Sequence, residues 1–302
     1  MRLVACTLAA ALMLTGGNAH ASIFARAAKP EPTVSDAAIE DIQRAIDEQR
    51  LLDAGRYLDE AMLAGVKDPR LNLLDGALDL ARGRFETALA AFRDAEAAPA
   101  THAHALEGEG VALSLLGRSD EALAMLLGAT AADPSAWRAW NALGAEYDAR
   151  EQWPLAEAAY ERALAASNGA ALVLNNRGYS KLLQHRRDAT VADFVAALRK
   201  KPDLAEARTN LRLALAMGGD YDRAVAGGAP GDQAALLNNA GFAAAMRGDY
   251  AKADELLNRA VALKGEYYGR ASENLKIVRA LAVRTDARSP ASLTDARSNA
   301  AH

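Results

Sequence analysis

Trp140-Asn-Ala-Leu-Gly-Ala-Glu-Tyr147, with Ala156-Glu-Ala-Ala-Tyr160 and Ala163 behind it, decides how this chain folds. Its glycine, Gly144, stands 34 residues from both Gly110 and Gly178, and Gly110 stands 34 residues from Gly76. The neighbours recur with the glycines. One period back lie Gly110, Leu113, Gly117, Ala122, Leu126, Ala129 and Pro134, and another step gives Gly76, Gly83, Phe85, Ala88, Phe92 and Ala95. Forward come Gly178, Phe194, Ala197 and Pro202, then Leu211, Leu215, Gly219, Tyr221 and Ala224, then Gly241, Gly248, Tyr250, Ala253, Leu257 and Ala260. Self-similarity at this period means a tandem array of one helical hairpin, because a single unit cannot bury its own apolar face and must stack on its neighbours.

Small and large residues have separate duties in such a unit. Gly144 and Ala156 fall where the two helices of one hairpin cross, and Ala163 where the second helix meets the next hairpin, so ridges enter grooves at short interaxial distance. Trp140, Leu143, Tyr147 and Tyr160 fill the space around those contacts. Pro134 and Pro202 end second helices because proline cannot continue the hydrogen-bond ladder. The prediction is an all-α chain of about six to seven hairpins, near 35–68, 69–102, 103–136, 137–170, 171–204, 205–233 and 234–266, closed by a capping helix over 267–284. The first hairpin keeps only Ala54, Leu58 and Ala61 in register and reads as an end cap. In the sixth, Gly227, Gly228, Pro230 and Gly231 displace most of the second helix, which predicts a kink. The last helix, from Tyr267 to about Val283, places Leu275, Val278, Leu281 and Ala282 over the seventh hairpin.

Outside the array, Arg2, the apolar run 3–14 and Ala19-His20-Ala21 before Ser22 make residues 1–21 an export signal, too short for a spanning helix. Residues 22–34 read as a flexible linker and 285–302 as a disordered tail. The one cysteine, Cys6, lies inside the signal, so the mature chain has no disulfide and no thiolate site. Gly17 stands where a lipid-bearing cysteine would follow Leu14-Thr-Gly. A net charge of −4 and the lack of a basic stripe speak against general binding to nucleic acid or direct membrane insertion after signal cleavage. No HExxH, GxSxG, SxxK or phosphate loop is present, so neither catalytic residues nor a metal or cofactor are expected. His102 and His104 are two apart and cannot share a helix face, and His185-Arg186-Arg187 reads as a solvated basic turn.

Trp140, Leu143-Gly144, Tyr147, Ala156, Tyr160 and Ala163 together resemble the tetratricopeptide repeat. That resemblance implies a right-handed solenoid whose first helices line a concave protein-binding groove. With the packing glycine as position 8 of each hairpin, it turns positions 5, 6 and 9 into the groove. Asn141, Asn175 and Asn238 stand at position 5, Asn176, Asn210 and Asn239 at position 6, and Asn274 follows on the last helix. The row is similar to the asparagine ladder with which the superhelix of O-GlcNAc transferase holds an extended peptide. Each amide offers a donor and an acceptor to a main chain whatever its side chains. The same amides are equally suited to bonding neighbouring helices together. Tyr179, Leu213 and Phe242 at position 9, with Met217 and Met246 a turn further on, add apolar surface beside the row.

Over 171–283, Leu174-Asn-Asn-Arg-Gly-Tyr-Ser180, Ala207-Arg-Thr-Asn-Leu-Arg-Leu-Ala-Leu-Ala216, and Tyr267-Tyr268 followed by Ala271 and Asn274-Leu275 resemble the TadD-type repeat proteins of the tight-adherence (Flp) pilus secretion system. This resemblance implies an exported, non-enzymatic scaffold, periplasmic or secreted or held at the outer membrane through partners, that binds a secretin or other pilus assembly component. Two other readings stand beside it: a periplasmic peptide-binding repeat protein unrelated to pili, and a regulatory subunit of an envelope enzyme. If the signal is read correctly, the mature chain begins at Ser22, and Gly17→Cys converts it to a lipid-anchored form. Mass spectrometry of the N-terminus checks both, and a diacylglyceryl group on Cys6 overturns the assignment.

Overall fold

The computed structural model describes residues 33–229, 231–264 and 269–286; the predicted signal, most of the predicted linker and the predicted tail beyond 286 lie outside these. Among the described residues the chain is all helix and turn. Fifteen helices follow one another: α1 (Asp36–Asp47), α2 (Leu51–Leu63), α3 (Pro69–Ala81), α4 (Phe85–Glu96), α5 (His102–Leu115), α6 (Ser119–Ala132), α7 (Trp137–Ala149), α8 (Trp153–Ala166), α9 (Ala171–Leu183), α10 (Arg187–Lys200), α11 (Ala205–Gly218), α12 (Tyr221–Val225), α13 (Gln233–Met246), α14 (Tyr250–Lys264) and α15 (Gly269–Asp286). Each odd-numbered helix up to α13 pairs antiparallel with the next, and α15 closes the series as a tetratricopeptide-type solenoid.

Helix starts and turns follow local chemistry. Ser35 caps α1 by accepting from the Ala38 amide at 3.2 Å, and Asp68 caps α3, which opens on Pro69, by accepting from the Arg70 amide at 2.9 Å. Between the two helices of every hairpin one residue takes the left-handed conformation. It is Gly83, Gly117, Gly219 and Gly248 in four hairpins, but Gln49, Glu151 and His185 (φ 59°, 56° and 59°) in the others. This accounts for the second glycine of the repeat, since a side chain in that conformation crowds the following carbonyl.

The packing glycines face large side chains of their own hairpin's second helix. A Cβ built on Gly76 would lie 2.6 Å from the Phe92 ring, on Gly144 2.7 Å from the Tyr160 ring, on Gly178 2.8 Å from the Phe194 ring, on Gly110 2.6 Å from Leu126 and on Gly241 2.8 Å from Leu257. The large partner is thus set directly against bare helix backbone. Ala88, Ala122, Ala156 and Ala253 are fully buried at the same crossings.

The ends and the short hairpin depart from regularity in different ways. α12 has only five residues, yet Tyr221 and Val225 are 7% exposed and join a continuous core that runs through Leu215, Leu237, Leu256 and Leu275. On α15, Leu275 and Val278 are buried as predicted, Ala282 is half-buried, and Ala271 joins them in the core, but Leu281 is 37% exposed. At 100° per residue the stripe runs Ala271, Leu275, Val278, Ala282, and Leu281 sits roughly 120° round from Leu275. Tyr267, the predicted start of this helix, lies outside the described residues.

Gly144→Ala is expected to destabilise the chain by about 1 to 3 kcal/mol, because the Tyr160 ring that must yield is tied through its hydroxyl to Asp148 at 2.8 Å. All three tryptophans, Trp137, Trp140 and Trp153, belong to this hairpin, so their fluorescence in urea reads the change directly. An unchanged midpoint would contradict the packing described.

Candidate partner-binding groove

The first helices α7, α9, α11 and α13 carry the asparagines, and the structure joins most of them to one another. Asn176 Nδ2 donates to Asn141 Oδ1 at 3.1 Å, Asn175 Nδ2 to Asn176 Oδ1 at 3.2 Å, and Asn210 Nδ2 to Asn175 Oδ1 at 3.0 Å, which links α7, α9 and α11. A second, separate run begins past the short hairpin. Asn238 Nδ2 donates to Asn239 Oδ1 at 3.3 Å and Asn274 Nδ2 to Asn238 Oδ1 at 3.0 Å, tying α13 to α15. The two positions differ in access. Asn141, Asn175 and Asn238 are buried (9%, 6% and 3% exposed), whereas Asn176 and Asn210 are half-buried and Asn239 is exposed. Each amide in these runs has a further proton or lone pair beyond the bonds named.

Beside the first run lies a cleft of about 750 Å³ between α7, α9 and α11. It brings together Asn175, Asn176, Tyr179 and Asn210 with Leu183, while Asn141, Leu213, Asn238, Asn239 and Phe242 lie outside its lining. Large apolar side chains stay uncovered along the same helices: Tyr179 (44% exposed), Leu183, Leu213, Phe242 and Met246. Met217, the other methionine expected there, is half-buried.

Sequence reading missed the acids on these helices. Asp148, 9% exposed, reaches the cleft, its Oδ1 accepting from Ser180 Oγ at 2.7 Å and its Oδ2 from the Tyr160 hydroxyl at 2.8 Å. Burial raises its pKa, with the two hydroxyl donors opposing. One hairpin earlier the arrangement is mirrored, with Ser114 Oγ donating to the buried Glu146 at 2.9 Å. The visible signal was an acid paired with a serine 32 residues away in both cases. Within α9 and α10, Asp193 accepts from Arg177 and Lys181. Burial pushes its pKa up, but those two cations outweigh it and hold the carboxyl below its usual range. At the register position of Asn141, α5 carries Glu107, whose carboxyl is pushed up to about 7 by burial, Arg138 opposing and Asp133 adding.

No group of three or more histidine, cysteine, aspartate or glutamate residues suited to a metal occurs among the described residues, and none of their helices is long and apolar enough to cross a membrane. His185 occupies the strained turn between α9 and α10, and Arg186 beside it pairs with Glu157.

No protein-family profile matches the chain, and no curated protein matches it in sequence. Solved structures do share its fold. A chain of the APC/C hetero-tetramer Cut9–Hcn1 is 15% identical with a TM-score of 0.64, over 81% of this chain and 49% of that one, so the present chain spans about half its length. A thermophilic tetratricopeptide-repeat protein of Thermus thermophilus is 19% identical with a TM-score of 0.55, over 59% and 97%. The C-terminal part of a repeat-containing protein from Cytophaga hutchinsonii is 16% identical with a TM-score of 0.52, over 78% and 99%. At such identities the likeness shows the tetratricopeptide-repeat fold.

Because folding raises the Glu107 pKa above its usual 4.5, its contribution to stability is present at low pH and lost as pH rises through about 7. Glu107→Gln, which cannot ionise, is expected to raise the unfolding free energy at pH 8, read from urea denaturation, by at most roughly 3 kcal/mol, with the gain shrinking toward pH 5. A gain of equal size at both pH values would contradict the assignment.

Proposed function

We propose that the chain is an exported, non-enzymatic scaffold that holds an extended segment of a protein partner along its first helices, and that it serves assembly of a Flp/Tad-type pilus or secretion apparatus. The observation that carries the binding part is the cleft between α7, α9 and α11. Side-chain amides with unused valences stand there beside apolar side chains that the fold leaves uncovered. Exposed apolar surface of this kind, in line with hydrogen-bonding groups, suits a main chain laid across it. The amides alone are not enough: four contacts at a net ~1 kcal/mol each correspond to about millimolar binding, so the apolar stripe of Tyr179, Leu183, Leu213 and Phe242 must add to them.

The envelope and pilus part rests on the N-terminal signal pattern and on the similarity of residues 171–283 to TadD-type proteins. A secretin or another component of that apparatus is the partner this reading names.

Replacing Tyr179 or Met246 by a photo-crosslinking residue in cells tests both parts. Adducts with a secretin or pilus component are expected at these positions and not at Leu127 or Leu155, which are exposed on second helices. Equal labelling of both sets overturns the groove, and adducts confined to cytosolic proteins overturn the envelope assignment.

A further inference from the structure

The cleft contains two carboxylates and no cation. Asp148 is almost wholly buried at its lining and Glu206 is exposed on α11, while no lysine, arginine or histidine contributes to the lining. The two bonds to Asp148 come from neutral hydroxyls, Ser180 and Tyr160, and leave a lone pair on each oxygen. The nearest arginine in sequence, Arg150, is engaged by Glu146 at 3.4 Å and Asp120 at 3.1 Å. This sets Asp148 apart from the other deeply buried aspartate of the region, Asp193, which has both Arg177 and Lys181 as partners. Burying a carboxylate without a counter-charge is unfavourable, and a group arriving with positive charge relieves it.

The remaining walls suit the rest of such a group. Ala145, Ala149 and Leu183 offer an apolar channel, and the half-exposed Tyr179 ring lies beside it. A lysine or arginine has the matching build, a methylene stem that packs on apolar surface and a charged head that also favours an aromatic face.

We infer that this cleft is a specificity pocket for a basic side chain, lysine or arginine, of the extended segment that the asparagine run holds. The inference rests on the groove reading above and adds the chemical class of the partner segment. Asp148 is the buried counter-charge, Glu206 the outer one that draws the cation in, and Asn176 and Asn210 bind the main chain on either side of the anchored residue. Past α11 the short hairpin breaks the amide run, so the pocket lies at the one stretch where three consecutive first helices are bridged by asparagines among the described residues.

Phage-displayed random dodecapeptides selected on the full chain provide the test. Selected peptides are expected to share a lysine or arginine at one fixed position. Replacing that lysine by norleucine is expected to weaken binding, read by fluorescence anisotropy, by at least about tenfold on the native chain. On Asp148→Asn the same replacement should have little effect. Leu183→Lys, which supplies the cation internally at a partly exposed site, removes an apolar contact from both peptides but should weaken the lysine peptide by far more than the norleucine one, so the norleucine penalty shrinks and the idea stays testable if Asp148→Asn fails to fold. Peptides captured with no basic preference, or a norleucine penalty unchanged on both variants, overturn the pocket and leave the groove standing. Capture of no peptide at all removes both.

Discussion

A missing methyl group governs the architecture. In five hairpins a glycine on the first helix faces the large side chain 16 residues on, and in each case a Cβ at the glycine would come within 3 Å of it. Only bare backbone allows Phe92, Tyr160 or Phe194 to lie across the partner helix while remaining 4%, 1% and 0% exposed. That contact sets the angle of each hairpin. The angle in turn decides which faces of successive first helices come side by side, and so whether amides a period apart can meet. The groups on those helices depend on it at one remove, the Asn176–Asn141 bond among them.

Between hairpins the wiring is polar as much as apolar. Asparagine bonds, the Ser114–Glu146 and Asp148–Ser180 pairs, and the bonds of Arg82 to the Leu51 carbonyl and Arg247 to the Met217 carbonyl each join one hairpin to its neighbour. Buried polar groups of this kind are costly unless satisfied, and satisfying them from the adjacent unit makes each interface specific to its neighbour. The asparagines therefore hold helices together, and three of them, Asn175, Asn176 and Asn210, also line the cleft with valences unused. The two roles proposed for them from sequence are compatible in one side chain.

Much of the fold was legible because it rests on periodicity: the tandem all-helical hairpins are visible in the spacing of small residues and glycines. What sequence did not reveal depends on angles instead. Asn176 and Asn141 are 35 residues apart, one more than the period, and nothing short of the crossing geometry shows that they bond. Asp148 and Glu146 look like ordinary surface acids of a helix until the neighbouring serine is in place. His185, read as part of a basic turn, is equally a residue held in a glycine-type conformation, which its identity conceals. Leu281 shows the same limit in small: a pattern of threes and fours drifts round the helix, and only the observed stripe says where it leaves the core.

Among the described residues, no side-chain hydrogen bond joins residues more than 36 positions apart. The described residues thus have a low contact order, and the loop entropy that slows folding of β-rich or interleaved topologies scarcely arises among them. Each hairpin packs on the segment just before it in sequence, so burial can advance along the chain without waiting for its far end. Under the export proposed above, this locality lets structure form in the order in which the chain emerges from the membrane.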